Sequence, residues 1–141
     1  SKMVKGRHPI AAYEFLGPKL EGKDVILIDD MISSGKSILE IASLLKKRGA
    51  GKIFICTTFG LFTEGMEKFD EAYQNGIFDK LLTTNLVYQT PELLSKPYYI
   101  TCDMSKYIAL IIDTLNHDMS VSHLLNPADR IKRCVSNYMA Q

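Results

Sequence analysis

The sequence contains no apolar run that approaches the roughly 20 residues of a transmembrane helix, and it does not open with a signal-peptide pattern. It also lacks an excess of either charge, because 17 basic and 16 acidic residues leave a formal net charge of +1 at pH 7. A chain without a charge excess has no general electrostatic attraction for nucleic acids or membrane surfaces. These absences predict a cytoplasmic protein that binds neither nucleic acid nor membrane.

Cysteine is scarce, and its three positions do not form a metal-binding pattern. Cys56, Cys102 and Cys134 are odd in number and far apart along the chain, whereas metal-ligating cysteines recur within a few residues of each other. We therefore expect buried or inert thiols, and no metal ion held by the side chains of this chain. The remaining composition, 46% hydrophobic and 23% charged residues, is that of an ordinary globular domain.

Short apolar runs alternate with segments of helical periodicity along the chain. In the first such segment, Ile38, Ala42 and Leu45 recur at the spacing of one helix face. The apolar runs that we interpret as buried strands are residues 25–28, 53–57, 80–83 and 98–101. Strands that alternate with helices predict an α/β fold in which a parallel sheet forms the middle of three layers.

Residues 28–37 read IDDMISSGKS and end in the Gly-Lys-Ser of a nucleotide-binding P-loop. That loop has a further glycine five residues before the glycine of Gly-Lys-Ser, because backbone amides there wrap closely around a phosphate. Here Asp30 holds that place. Its carboxylate would repel a polyphosphate and its Cβ atom would crowd the turn, so the sequence argues against a P-loop ATPase.

The same stretch still has the features of a phosphate site. Residues 25–28 are continuously apolar, which is typical of a strand buried on both faces of a parallel sheet. A loop of small residues then leads into a helix that starts at Ser37 and stops at Gly49, and the free amides of a helix N-terminus favour an anion. Asp29 and Asp30 suit a polyol or magnesium, or else they simply end the strand and cap a turn. Together, the acids and the loop indicate a site for a phosphorylated ribose.

The segment from Asp29 to Ser37 resembles the phosphoribosyl-binding loop of the type I phosphoribosyltransferase fold. The closest form is the D-D-M-I-D-T-G-G-T of ribose-phosphate diphosphokinases, in which Ser33 would replace an aspartate and Lys36 a glycine. The resemblance implies a phosphoribosyltransferase-like domain in which Asp29 and Asp30 bind ribose. It also implies that five consecutive residues cradle the 5-phosphate: Ser33, Ser34, Gly35, Lys36 and Ser37.

The resemblance extends over nearly the whole chain. Lys5 and Arg7 match the basic catalytic loop of the family, although a solvated basic tail is the alternative interpretation. Ser120 and Ser122 match an S-V-S segment where the family has a regulatory site for phosphate or ADP. The other matching segments are Thr57–Phe62, with Phe59 in place of a common histidine, and the T-N turn Thr83–Asn85.

This resemblance implies an enzyme that makes phosphoribosyl pyrophosphate and AMP from ribose 5-phosphate and Mg-ATP. In such enzymes another domain precedes this one, and subunits assemble into homo-oligomers. We therefore expect residues 1–141 to be the C-terminal domain of a longer two-domain enzyme. Its ATP pocket and the ligands of the Mg²⁺ that accompanies ATP would lie upstream and partly on a neighbouring subunit.

Three other functions remain compatible with the residues. A phosphoribosyltransferase would use the same loop to bind phosphoribosyl pyrophosphate and would transfer the ribosyl group to a base. A regulator could keep the fold without catalysis, which the departures at Ser33, Lys36 and Phe59 would explain. An assembly scaffold would use the domain only for subunit contacts.

Overall fold

The computed structural model describes residues 19–140, in which each of the four strands is followed by a helix and two more helices follow the last of these. In chain order the elements are β1 (Val25–Ile32), α1 (Lys36–Lys47), β2 (Ile53–Gly60), α2 (Glu67–Gln74), β3 (Lys80–Thr84), α3 (Pro91–Ser95), β4 (Tyr99–Cys102), α4 (Ser105–Asn116), α5 (Ser122–Leu125) and α6 (Ala128–Met139).

The four strands form one parallel sheet in the order β1-β2-β3-β4. Val25 pairs with Ile53, and Leu81 pairs with both Ile55 and Tyr99. The predicted α/β fold with a parallel sheet is confirmed. Because parallel strands end at a common edge, the loops after β1, β2 and β3 gather at the carboxyl edge of the sheet, where ligands bind in such folds.

The hydrophobic core lies on one face of the sheet. Ile53, Ile55 and Leu81 are fully buried there and form one cluster with Ala42 of α1 and Phe69 of α2. Right-handed crossovers between strands that follow one another in order place their helices on the same face. The strand order therefore explains why the helices α1 and α2 share one core.

The opposite face corrects our prediction that β1 is buried on both sides. Ile26 is 64% exposed and Ile28 is 82% exposed, while Val25 and Leu27 pack against the core. Side chains alternate between the two faces of a strand, and the residues described do not cover the face that carries Ile26 and Ile28. The apolar run is thus continuous although only every second side chain contacts the core.

The strand β1 is also longer than predicted. Our interpretation ended it at Ile28, whereas it continues to Ile32. Asp29 pairs with Thr57 and Met31 pairs with Phe59, so the ladder with β2 extends past the two acids. The preference of aspartate for turns is overridden by pairing with a long neighbouring strand.

The thiols are only partly as expected. We expected buried or inert thiols: Cys56 and Cys102 are half-buried and unpaired, whereas Cys134 is exposed on α6, so burial does not apply at that position. Cys134 lies on a helix of which no residue is buried.

None of the helices within residues 19–140 has the length and apolar character needed to cross a bilayer.

A hydrogen-bonded cluster around Asp70 ties α2 to the segment between α3 and β4. The Asp70 carboxylate accepts hydrogen bonds from Lys96 Nζ and from the hydroxyl of Tyr98, each at 2.7 Å. Partial burial raises the pKa of Asp70, but the two hydrogen bonds outweigh it and hold this pKa below its ordinary value. Burial, together with the hydrogen bond to Asp70, raises the pKa of Tyr98.

We expect Asp70→Asn to remove part of the acid sensitivity of the fold. A depressed carboxyl pKa contributes stability that is fully present above the unfolded pKa, near 4, and is lost as the pH falls through the folded pKa. The substitution should lower the free energy of unfolding by about 1–3 kcal/mol at pH 7, and by less below pH 4. Urea denaturation from pH 7 to pH 3 measures both values. Asp129→Asn, on the exposed helix α6, is the control, and an equal loss at every pH would contradict the assignment.

Candidate functional site

The predicted phosphate loop lies at the carboxyl edge of the sheet, between β1 and α1. It borders a cleft of about 170 Å³. The residues that line this cleft are Asp29, Met31, Ile32, Ser33, Ser34, Gly35, Lys36, Ser37 and Ile38. The structure thus brings together Asp29 and all five residues predicted to cradle a phosphate. Asp30, the second acid predicted to bind ribose, is not among the lining residues.

Gly35 is the residue on which the loop turns into α1. Its φ of 78° lies in the left-handed region that favours glycine. A Cβ atom at this position would overlap Cζ and Cε2 of the Phe69 ring, which is fully buried in the core. The absence of a side chain at Gly35 therefore lets the loop lie directly on the core.

The first turn of α1 offers backbone donors to the cleft. No side chain caps this helix at Gly35, and the first amides of an α-helix have no acceptor within the helix. Within the loop, the amide of Lys36 lies 3.4 Å from Ser34 Oγ, which is a long hydrogen bond. The arrangement of free amides, helix dipole and hydroxyl groups suits an anion with several oxygen atoms.

Charged side chains lie at two places in the cleft. Asp29 is exposed, and its Oδ1 accepts a hydrogen bond from the amide of Asp30 at 2.8 Å, which fixes one carboxylate oxygen. Lys36 is also exposed, and its ammonium group bonds to no other residue in the part of the chain that the structure describes. An anion on the amides of α1 would therefore have a cation beside it and an oxygen acceptor for hydroxyl groups on β1.

The segment that follows β2 supports the loop from the side. The amide of Thr63 donates to the carbonyl oxygen of Ser33 at 3.0 Å, and the hydroxyl groups of the two residues lie 3.3 Å apart. The amide of Leu61 donates to the carbonyl oxygen of Ile32 at 2.8 Å. Sequence analysis missed Thr63 because it lies 30 residues from Ser33 and no local motif marks it.

Phe62 holds this supporting segment in a strained conformation. Its φ is 45°, which is uncommon for a bulky residue. Its ring packs edge-on against Phe69 at a centroid distance of 5.3 Å and against Tyr99 at 6.5 Å. Backbone strain of this kind persists where surrounding packing enforces it, so the aromatic contacts fix the position from which Thr63 reaches the loop.

Other predicted residues lie elsewhere. Asn85 donates to Asp103 and accepts from the amide of Met104, both at 2.8 Å, so its side chain holds the start of α4. Hydrogen bonds from Ser105 and then from Asn85 keep the pKa of Asp103 below its ordinary value.

The residues predicted to form a regulatory site lie at the start of the short helix α5, which Ser120 precedes and of which Ser122 is the first residue. Ser120 Oγ donates to Ser122 Oγ at 3.0 Å. Lys5 and Arg7, predicted to be catalytic, lie outside residues 19–140. Within that range, no three or more histidine, cysteine, aspartate or glutamate side chains form a group that could hold a metal ion.

A family model described as the phosphoribosyl synthetase-associated domain matches residues 3–126. Curated relatives carry the name ribose-phosphate pyrophosphokinase. The relative from Vibrio parahaemolyticus is 26% identical over 107 residues, and the one from Shewanella oneidensis is 29% identical over 107 residues; each alignment covers 76% of this chain and 33% of the relative. The relative from Prochlorococcus marinus is 33% identical over 94 residues, covering 63% of this chain and 28% of that protein.

A solved structure supports the same fold. The phosphoribosylpyrophosphate synthetase from Mycobacterium smegmatis superimposes with a TM-score of 0.63 at 22% sequence identity, covering 72% of this chain and 33% of that one. The chain thus spans about a third of the length of the proteins that it matches.

Proposed function

Because the chain belongs to the phosphoribosyl synthetase-associated domain family, we propose that it is the ribose 5-phosphate-binding domain of a ribose-phosphate diphosphokinase. The observation that carries the proposal is the cleft that Asp29 and the N-terminus of α1 line together. It combines an acceptor for sugar hydroxyl groups with donors for a phosphate. In this proposal, residues 1–141 are the C-terminal domain of a longer, cytoplasmic, homo-oligomeric enzyme.

The 5-phosphate would bind at the first turn of α1. The amides there, the hydroxyl groups of Ser34 and Ser37, and the ammonium group of Lys36 would donate to its oxygens. The ribose would then extend toward β1, where Asp29 accepts hydrogen bonds from ring hydroxyl groups. The loop gives the substrate one orientation, with the phosphate on the helix and the sugar on the strand.

The reaction in this proposal transfers pyrophosphate from ATP to ribose 5-phosphate. The hydroxyl oxygen on C1 forms a bond to the β-phosphorus of ATP while its O–H bond breaks and the proton is released to solvent. The bond from that phosphorus to the α-phosphate oxygen breaks, and AMP leaves. Such reactions depend on positioning and on cations that stabilise developing charge. This chain would position C1 through the loop, and Lys5 and Arg7 would supply positive charge near the triphosphate.

Mg²⁺ bound with ATP would neutralise part of the triphosphate charge. Within residues 19–140, no three or more acidic, histidine or cysteine side chains form a group that could hold the ion. The ATP pocket, in this proposal, belongs to the domain that these residues do not include.

Binding of ribose 5-phosphate to the 141-residue chain, measured by isothermal titration calorimetry, tests the proposal. Asp29→Ala should weaken binding about 10- to 100-fold, since a hydrogen bond to a charged group contributes about 1.5–3 kcal/mol. Lys36→Gly should still bind, because it leaves the amides of α1 in place. Glu40→Ala, on the exposed side of α1, is the matched control.

Two results would contradict this assignment. If the chain does not bind ribose 5-phosphate, or if Asp29→Ala binds it as tightly as the unaltered chain, the cleft is not the sugar-phosphate site. Catalysis is tested separately in the enzyme that contains this domain, by chromatographic assay of AMP formed from ATP and ribose 5-phosphate. AMP formation that requires ribose 5-phosphate would exclude a regulator or a scaffold.

A further inference from the structure

A cavity distinct from the sugar-phosphate cleft is lined by the segment that supports the phosphate loop. Its volume is about 140 Å³. One wall comes from residues 60–66, which end β2 and lead to α2, and the other comes from residues 88–93, which lead from β3 into α3. We call it the α3 cavity. None of its lining residues borders the cleft between β1 and α1, so the two sites are separate.

The apolar part of the α3 cavity suits one aromatic ring. Met66 and Leu93 are buried in its lining, and Phe62 lines it beside Leu61. Tyr88 adds a second aromatic ring, which is 80% exposed and makes no hydrogen bond or ring contact within residues 19–140. An apolar cavity of about 150 Å³ is known to hold benzene. The volume of the α3 cavity therefore matches a single six-membered ring.

The charged groups around the α3 cavity favour a ligand that donates hydrogen bonds. Among the described residues, no lysine, arginine or histidine lines it, whereas Glu92 does. Glu92 Oε1 lies 3.2 Å from Lys96 Nζ in an exposed ion pair, and Lys96 also bonds to Asp70 at 2.7 Å. Glu92 Oε2 has no partner in the described part of the chain.

The two segments that form the walls carry more acidic than basic residues. Residues 60–70 and 88–96 contain four acids, Glu64, Glu67, Asp70 and Glu92, and two lysines, Lys68 and Lys96. A phosphate or carboxylate group would be repelled there, and an amino group would be attracted. The ligand class is therefore an aromatic ring that bears an amino group and no negative charge.

The wall that contains Phe62 also contacts the phosphate loop. The amide of Leu61 donates to the carbonyl oxygen of Ile32 at 2.8 Å, and the amide of Thr63 donates to that of Ser33 at 3.0 Å. Phe62, between them, has a φ of 45°, and such a conformation persists only where packing enforces it. A ring bound against Phe62 would add to that packing, and so would help to hold Thr63 in contact with Ser33.

We propose that the α3 cavity binds an aminopyrimidine base, with its ring against Tyr88 and Phe62 and its amino group donating to Glu92 Oε2. Bound base strengthens the binding of ribose 5-phosphate at the neighbouring loop, and linkage requires ribose 5-phosphate to strengthen binding of the base by the same factor. This coupling rests on the proposed function, whereas binding of the base does not.

NMR titration of the ¹⁵N-labelled 141-residue chain with cytosine tests the proposal. We expect a dissociation constant of about 0.1–5 mM, as suits one small ring, with the largest amide shifts in residues 60–66 and 88–93. Uracil has a carbonyl oxygen in place of the amino group and should bind at least about fivefold more weakly. Benzoate, a ring with a negative charge, should not bind.

Two substitutions test the assigned contacts. Tyr88→Ala should weaken cytosine binding about fivefold or more, because it removes an aromatic ring on which the base stacks. Glu92→Gln should weaken it about threefold or more, because it removes the charge on the acceptor. Tyr138→Ala and Glu71→Gln, which alter exposed residues outside the α3 cavity, are the matched controls and should leave cytosine binding unchanged. The amide spectrum of each variant shows whether it keeps the fold.

Calorimetric titration with ribose 5-phosphate in saturating cytosine measures the coupling, and we expect affinity to rise about twofold or more. The proposal is overturned if cytosine does not shift the cavity residues, if uracil and benzoate bind as tightly as cytosine, or if both variants bind like the unaltered chain. An unchanged affinity for ribose 5-phosphate would overturn the coupling. A chain that binds cytosine at the α3 cavity but never binds ribose 5-phosphate would contradict the proposed function and leave the base site standing.

Discussion

Replacing Gly35 with alanine is expected to abolish measurable binding of ribose 5-phosphate and to lower the free energy of unfolding by about 2–5 kcal/mol. Holding a residue with a Cβ atom in the left-handed region costs about 1–2 kcal/mol. The new Cβ atom also overlaps the Phe69 ring, and forcing an extra group into a packed core costs about 1–3 kcal/mol. Relief of that overlap would displace the loop and its amides. Urea denaturation and calorimetric titration measure the two effects.

Gly22 provides the matched control for that substitution. Its φ is 68°, but a Cβ atom there would meet no atom within 4 Å. Gly22→Ala should therefore show the backbone cost alone, about 1–2 kcal/mol, with unchanged affinity for ribose 5-phosphate. If Gly35→Ala behaves like Gly22→Ala in both measurements, contact with Phe69 does not shape the loop.

Replacing Phe69 with alanine is expected to lower the free energy of unfolding by about 3–5 kcal/mol, the usual cost of removing a fully buried aromatic side chain. It should also weaken binding of ribose 5-phosphate, because it removes the surface on which Gly35 rests and the partner of the Phe62 ring. Phe78→Ala is the control, since Phe78 is also buried and contacts Phe69, whereas the atoms nearest to a Cβ at position 35 all belong to Phe69.

The effects of Gly35→Ala and Phe69→Ala on the free energy of unfolding should not be additive. In the Phe69→Ala background the ring that obstructs a Cβ atom at position 35 is gone, so adding Gly35→Ala should cost only the backbone part, about 1–2 kcal/mol.

Titration of the Phe78→Ala variant with ribose 5-phosphate, under conditions where it stays folded, should give nearly the affinity of the unaltered chain. If Phe78→Ala loses as much affinity for ribose 5-phosphate as Phe69→Ala does, general destabilisation rather than loss of loop support weakens binding.

The elements that sequence analysis identified correctly are those with a strong local pattern. The apolar runs predicted all four strands, and the helical spacing of Ile38, Ala42 and Leu45 predicted the buried side of α1. The small residues between β1 and α1 placed the loop, and the resemblance to a known family placed Asp29 beside it. Local patterns suffice here because strand, loop and helix are contiguous in the chain.

What sequence analysis missed depends on contacts between distant residues. Nothing near Gly35 indicates that Phe69 lies beneath it or that Thr63 bonds to Ser33. The strand end at Ile32 depends on pairing with β2 rather than on local preference. Helix α6 was not predicted, although Ile131, Val135 and Tyr138 carry helical spacing.

The strand order has a consequence for the order in which the domain folds. Each strand pairs with the strand that precedes it in the chain, so every pairing step joins segments separated by a single crossover. Short separations favour fast folding, and nascent chains form structure from the N-terminus onward. The contacts that the phosphate loop itself makes end at Phe69, within α2. The loop can therefore begin to assemble while β3 and β4 are still unpaired, and the packing of Phe62 on Tyr99 of β4 is added when the last strand pairs.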